Sequence, residues 1–213
     1  MELPDRDQKS IPTLVKDEDL VRAKRRQIVD AAVELFCRKG YHQTTTREIA
    51  RQAGFSIGTL YEYIASKEDV LYLVCEAIHT EMEIQLREGV REGATGRETL
   101  AHAIANYMRA CDRMQDSILL IYQETSSLVP ESMQYVLQNE ERITGVFQDI
   151  LDQGRMDGSL RIEPAATPLM AHNIVVMGHM WAFRRWFLAK HYSLDEYIAV
   201  QTALLMNELG GEV

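Results

Sequence analysis

The stretch from Thr45 to Ile64, T-T-R-E-I-A-R-Q-A-G-F-S-I-G-T-L-Y-E-Y-I, constrains this chain more than any other. Thr45 with Glu48 three residues on makes a capping box, in which a hydroxyl and a carboxylate satisfy open amides of a first helical turn. Ile49, Ala50 and Ala53 give the short helix an apolar face. Gly54 stands where the chain must turn, and glycine takes a left-handed conformation at little steric cost. Ser56 is a second cap, and a second helix is expected from Ile57 to about Tyr63. Leu60 and Ile64 are expected inward, leaving Ser56, Thr59, Tyr61, Glu62 and Tyr63 outward. Two short helices joined by a glycine turn, the second with an exposed polar and aromatic face, form a helix-turn-helix reader of the DNA major groove.

Gly54-Phe55-Ser56-Ile57-Gly58 also matches G-x-S-x-G, the nucleophile elbow of serine hydrolases with Ser56 as nucleophile. That motif needs a strand before it and a helix after it. A helical pattern precedes it here, and the chain shows no alternation of strand and helix, so an enzyme is not expected.

Four segments in fixed order extend the pattern: A-A-V-E-L-F-C-R-K-G-Y from Ala31, T-T-T-R-E-I-A from Thr44, G-T-L-Y-E-Y-I from Gly58 and S-K-E-D-V-L from Ser66. Residues 24 to 74 thereby resemble the DNA-binding domain of the TetR family of bacterial repressors. The resemblance implies an all-α chain, with a three-helix head that binds DNA and a larger helical body that dimerises and holds a small inducer. The expected limits are a flexible tail over 1–20, a helix-turn-helix domain over 21–66, and a ligand-binding and dimerisation domain over 67–213. Matching the family's motif position by position points to Thr45, Thr46, Arg47, Ser56, Ile57, Gly58, Thr59, Tyr61, Tyr63 and Lys67 as residues that approach DNA. Ile57 departs from the basic or small residue often found there, and Glu62 places an acid on the exposed face. Glu62 can accept from a cytosine amino group or simply face solvent.

The net charge of −9 argues against nucleic acid until its distribution is seen. Between Val21 and Lys67 stand nine bases and four acids, a local +5, which leaves −14 for the remainder. A basic head that meets phosphate and an acidic body kept away from it fit that asymmetry; ordinary solvated helix faces are the plainer account. Arg22 to Arg26 continue the tail as an arm toward phosphate or minor groove, or form a charged first helical turn. No apolar leader is visible at the N-terminus, and Leu169 to Leu188 is broken as a membrane span by His172, Asn173, His179, Arg184 and Arg185. Cys37, Cys75 and Cys111 lie far apart, which suits reduced thiols in a cytoplasmic protein better than a disulfide frame.

Ile28, Ala31, Ala32, Leu35 and Phe36 recur at helical spacing in a first helix closed by Gly40. Ser66 with Asp69 opens a long helix with the stripe Val70, Leu71, Leu73, Val74, Ala77, Ile78 and Met82, ended by a loop at Gly89, Gly93 and Gly96. Body helices are expected over 100–114, 117–128, 130–157 and 167–190, with a last helix capped by Ser193 and striped by Tyr197, Ile198, Val200, Leu204, Leu205 and Leu209. The final two helices read as half of a four-helix bundle completed by a second copy of the chain. Candidate contacts to a small apolar or amphipathic effector, such as a fatty acid or its thioester, are Tyr107, Met108, Tyr122, Met177, Met180, Trp181, Phe183 and Arg184; the same residues can equally be core. His102, His172 and His179 lack the partners a metal site needs, so neither a metal nor a cofactor is expected.

Overall fold

Caps and glycines present in the sequence set most helix ends in the computed structural model of the chain, which describes residues 10–88 and 93–210. The helices are α1 (Glu18–Lys39), α2 (Thr46–Gln52), α3 (Ile57–Tyr63), α4 (Lys67–Arg87), α5 (Gly96–Arg113), α6 (Gln115–Glu124), α7 (Pro130–Met156), α8 (Thr167–Leu188) and α9 (Leu194–Gly210). Short 3₁₀ turns stand at Thr125–Ser127 and Pro164–Ala166. Among the described residues there is no strand, so the fold is all-α. No helix of the described residues is long and apolar enough to cross a membrane.

The chain divides into two compact units, Met1–Ile78 with Leu120–Asn139, and His79–Leu119 with Glu140–Val213. The expected boundary at 66/67 therefore moves. Val70, Leu71, Tyr72, Val74 and Cys75 are buried, so the first turns of α4 belong to the core of the first unit.

In the first unit α1, α2 and α3 pack against one another around Ile28, Ala32, Phe36, Ile49, Leu60 and Ile64. Burying such a side chain contributes roughly 1.5–3 kcal/mol, and here each helix contributes at least one. Asp17 caps α1 by accepting from the Leu20 amide at 3.0 Å, so the helix begins before the basic run Arg22–Arg26, which is helical rather than an arm. Gly40 ends α1 with φ of 84° and donates its amide to Phe36 O at 2.8 Å. Ser66 and Asp69 cap α4 reciprocally, the Asp69 amide donating to Ser66 Oγ at 3.1 Å and the Ser66 amide to Asp69 Oδ2 at 2.9 Å. Residues 1–9 of the expected tail lie outside the described residues, whereas Ile11 is buried and the Leu14 amide donates to Glu62 O at 2.9 Å. The described part of that segment is thus fastened by a buried side chain and backbone hydrogen bonds.

In the second unit α5 packs on α8 and α9. Gly96 opens α5 rather than lying in the loop expected of it, while Gly89 lies outside the described residues. Thr95 and Glu98 form a capping box, and the amides of Gly96 and Arg97 donate to Asp157 Oδ2 at 2.7 Å and Ser159 Oγ at 3.0 Å. A Cβ on Gly96 would fall 2.2 Å from the Cα of Gly154, so Gly96 is needed where α5 meets α7, while a Cβ on Gly154 would fall 2.4 Å from Leu160 Cδ1. Cys75 in the first unit and Cys111 in the second are buried, and burial pushes both thiols up, Cys75 to about 12; Cys37 on α1 is exposed.

Candidate nucleic-acid interface

Both caps of the reader form as the sequence requires. The Thr45 hydroxyl accepts from the Glu48 amide at 3.3 Å, and the Glu48 carboxylate accepts from the Thr45 amide at 2.9 Å. Glu48 also receives Lys39 Nζ at 2.7 Å; that hydrogen bond, with those from Thr45, holds its carboxyl down at about 2. Lys39 thereby ties the end of α1 to the start of α2. Nothing in the sequence spacing announces this pair, because it closes across a turn rather than along a helix.

Gly54 turns the chain with φ of 77°, and the Phe55 amide donates to Ala50 O at 2.8 Å. Ser56 then caps α3, its hydroxyl accepting from the Thr59 amide at 3.0 Å and standing 2.9 Å from the Thr59 hydroxyl. The strand that a nucleophile elbow demands is replaced by helix α2, and the Ser56 oxygen is engaged in capping.

Leu60, Tyr63 and Ile64 form the buried face of α3, at spacings of three and four residues. This corrects the outward placement of Tyr63. The residue is 4% exposed, because the helical period puts residue 63 with residue 60 and against residue 61, and its ring lies 6.4 Å from that of Phe55. Tyr61 is 45% exposed and Ile57 38%. The Tyr61 hydroxyl stands 3.2 Å from the Thr46 hydroxyl, so α2 and α3 are joined on their outer side. Two hydroxyls hold two protons and their mutual bond uses one, which leaves a donor for a partner such as a phosphate oxygen. Thr45, Arg47, Ser56 and Gly58 are exposed beside them, and Thr46 and Thr59 are half-buried.

Lys67, expected to approach DNA, is half-buried and has its ammonium engaged by the backbone. Its ammonium donates to Tyr41 O at 2.9 Å and Thr44 O at 3.0 Å, and it sits 4.1 Å from the centre of the Tyr41 ring. It braces the turn between α1 and α2 to the start of α4. Desolvation lowers its pKa from the usual lysine value.

The expected effector residues do not form one cluster. Tyr107, Met108 and Trp181 are core of the second unit, Met177 and Phe183 are half-buried there, and Met180 and Arg184 are exposed. Tyr122 is exposed on α6 in the first unit. The Tyr107 hydroxyl lies 2.8 Å from His179 Nε2, and its ring meets Phe147 edge-on at 5.4 Å. Burial, with His79 and His172 adding repulsion, lowers the His179 pKa to about 4, so the ring is neutral at pH 7. Trp181 Nε1 donates to Asp112 Oδ1 at 2.8 Å, and Arg185 Nε lies 3.4 Å from the same oxygen. Asp112 had no signal in the sequence, since its partners come from a helix about seventy residues away. Arg184 lies over the rings of Trp186 and Phe187, at 5.2 and 5.8 Å. His102 and His172 are exposed, and among the described residues no group of metal-binding side chains is gathered.

On α8 and α9 a set of large side chains is left uncovered: Leu169, Trp186 and Phe187 on the first, Val200 and Leu204 on the second. The expected stripe of α9 therefore splits. Tyr197, Ile198 and Leu209 are buried, joined by Met206, whereas Val200 is 48% and Leu204 59% exposed.

Comparison with known proteins matches residues 28–72 to the family described as bacterial regulatory proteins, tetR family, and residues 77–207 to the tetracyclin repressor-like C-terminal domain. The HTH-type transcriptional regulator HbdR of Aromatoleum sp. (strain CIB) is 31% identical over 198 residues, covering 92% of this chain and 85% of its own. The crystal structure of a bacterial regulatory protein in the tetR family from Rhodococcus RHA1 superposes with a TM-score of 0.76 at 25% identity, covering 89% of this chain and 98% of that one. The transcriptional regulator FadR from Bacillus subtilis, solved in complex with stearoyl-CoA, shares the fold with a TM-score of 0.69 at 24% identity, covering 88% of this chain and 99% of that one.

Proposed function

The chain belongs to the TetR family of bacterial regulatory proteins and is a DNA-binding transcriptional regulator, and from that premise we propose that it is a dimeric repressor released from its operator by an amphipathic ligand. The observation that carries the DNA-facing part is the outer side of α2 and α3. There the Thr46 and Tyr61 hydroxyls are paired at 3.2 Å, with Ser56, Ile57 and Gly58 exposed beside them. Such hydroxyls and exposed amides suit phosphate contacts that set register, while Ile57 and Tyr61 reach toward base edges and thymine methyl groups. Arg47 adds charge at the start of α2. Tyr63 and Lys67 act from behind, the first as core and the second as a brace.

One head covers few base pairs, so useful affinity calls for two heads on a pseudo-palindrome, spaced by about 34–36 Å per helical turn. The uncovered apolar side chains of α8 and α9 support a second copy as the partner that covers them. The fold shared with a regulator solved with stearoyl-CoA supports a fatty acid or its thioester as effector. Half-buried Met177 and Phe183 are the side chains best placed to yield to an acyl chain, since methionine repacks readily. Such a ligand shifts the population only by its preference between two states, and a full switch takes on the order of 5 kcal/mol.

Fluorescence anisotropy with a duplex from the chain's own upstream region tests the reading. Tight binding at matched salt that is lost on scrambling the duplex, and reversed by a long-chain acyl thioester, is the expected result. Equal binding to scrambled DNA overturns the regulator's specificity.

A further inference from the structure

Helix α3 has only seven residues, and its last carbonyls have no partners within the helix. A helix so short is marginal by itself and depends on what holds its ends. In α1 the C-terminus is closed by Gly40, and the turn after α2 is made by Gly54, each with a positive φ. After α3 comes Ile64 in extended conformation, which offers no such closure. The missing donors arrive from upstream, 49 residues away for Thr13 and 38 for Arg25. The Thr13 hydroxyl and the Leu14 amide both donate to Glu62 O at 2.9 Å. Arg25 Nε donates to Tyr63 O at 3.0 Å, and Arg25 Nη2 donates to Ile11 O at 2.8 Å, so one guanidinium joins the upstream segment to the end of α3. Its positive charge also suits the negative end of the helix dipole.

We propose that the segment from Ile11 to Val15, with Arg25, is a strap that caps the C-terminus of the recognition helix and so sets operator affinity as a positioning device, without contacting DNA. Tyr61, the exposed aromatic of the reading surface, immediately precedes the capped Glu62 carbonyl. Loosening the strap lets the end of α3 fray and takes Tyr61 out of register with Thr46. Packing does little to replace the hydrogen bonds. Leu14 is largely exposed, and a shallow cleft remains between the strap and α1, lined by Thr13, Val15, Glu18, Val21, Arg22 and Arg25. Ile11 is the one strap side chain that is buried. The affinity part rests on the DNA-binding reading above; the capping part does not.

Two variants of the full chain, Arg25→Met and Thr13→Val, test this by hydrogen exchange over residues 57–64 and by operator binding across a salt series. Exchange in α3 is expected to quicken about tenfold in Arg25→Met and about threefold in Thr13→Val, the scale of one or two lost hydrogen bonds. Operator affinity should fall by similar factors while the slope of log affinity against log salt stays that of the parent. A slope reduced by about 0.9 would mean that Arg25 neutralises a phosphate directly and would overturn the positioning role. Unchanged exchange in both variants overturns the strap whatever the DNA result. If Arg25→Met does not fold, Thr13→Val alone decides, since it removes a single exposed hydroxyl. Should the parent not distinguish operator from scrambled DNA, the regulator reading fails, and the exchange data still decide whether the strap holds α3.

Discussion

Helices α3 and α9 both leave large side chains uncovered, but of opposite kinds. On α3 the uncovered set carries hydroxyls and small residues around Tyr61, and the one bulky aliphatic, Ile57, is only 38% exposed. On α9, and on α8 beside it in sequence, the uncovered set is Val200, Leu204, Trp186 and Phe187, with Trp186 65% exposed. A surface of the first kind keeps its water until a charged, hydrated partner replaces it, and affinity there depends on salt. A surface of the second kind is less favourable wet than covered, by roughly 25 cal/mol per Å² of apolar area, and favours a dry partner such as its own copy. The same chain thus carries two kinds of uncovered surface, one largely polar on α3 and one apolar on α8 and α9.

The sharpest test of which α3 residues belong to the open surface is Tyr63→Ala. It should destabilise the head by about 3 kcal/mol, because a buried aromatic leaves a cavity, and a denaturant titration checks it. On the other face, Trp186→Glu with Leu204→Glu should yield monomers in sedimentation and weaken operator binding about 100-fold, the scale of lost avidity. Retention of the dimer would break the comparison. Tyr61→Ala should reduce operator affinity about tenfold, roughly 1.4 kcal/mol, with the melting temperature nearly unchanged. Thr45→Ala removes a cap and should cost about 1 kcal/mol of stability in a urea titration.

Acid separates the two units in a last, smaller way. His179 has its folded pKa lowered to about 4, while the unfolded chain takes the proton near 6.5, the ordinary histidine value. The unfolded state therefore binds more protons between those values, and stability of the second unit is lost as pH falls from 6.5 to 4. Glu48 has its folded pKa lowered to about 2 from 4.5, so the stability it gives the head is present above 4.5 and is lost as pH falls toward 2. Thermal melts across pH should show the upper limb flattened in His179→Gln and the lower limb flattened in Glu48→Gln.

The head was legible because its signals are local. Thr45 with Glu48, Gly54, Ser56, and Ser66 with Asp69 each specify a cap or a turn within four residues, and each does so in the structure. Tyr63, expected outward, is buried, because the helical period groups it with Leu60. Lys67 is expected to approach DNA, and its amine also finds two backbone carbonyls that come from elsewhere in the sequence. In the body the helices were legible and their faces were not. Val200 and Leu204 look like core in a periodic stripe, yet are uncovered within one copy, and Asp112 acquires its role only when α8 lies against α5. Long-range partners carry no local signature, so the effector residues divide between core, surface and the other unit in a way that periodicity could not show.

The distribution of sulfur has a practical consequence. Two of the three cysteines are sealed in the interior and held protonated, while Cys37 lies at the surface of α1. A maleimide or nitroxide reporter should therefore find one address per subunit without any engineered thiol. In a symmetric pair, two such labels would read the separation of the heads directly, with and without an acyl thioester, as a ruler already built into the native chain.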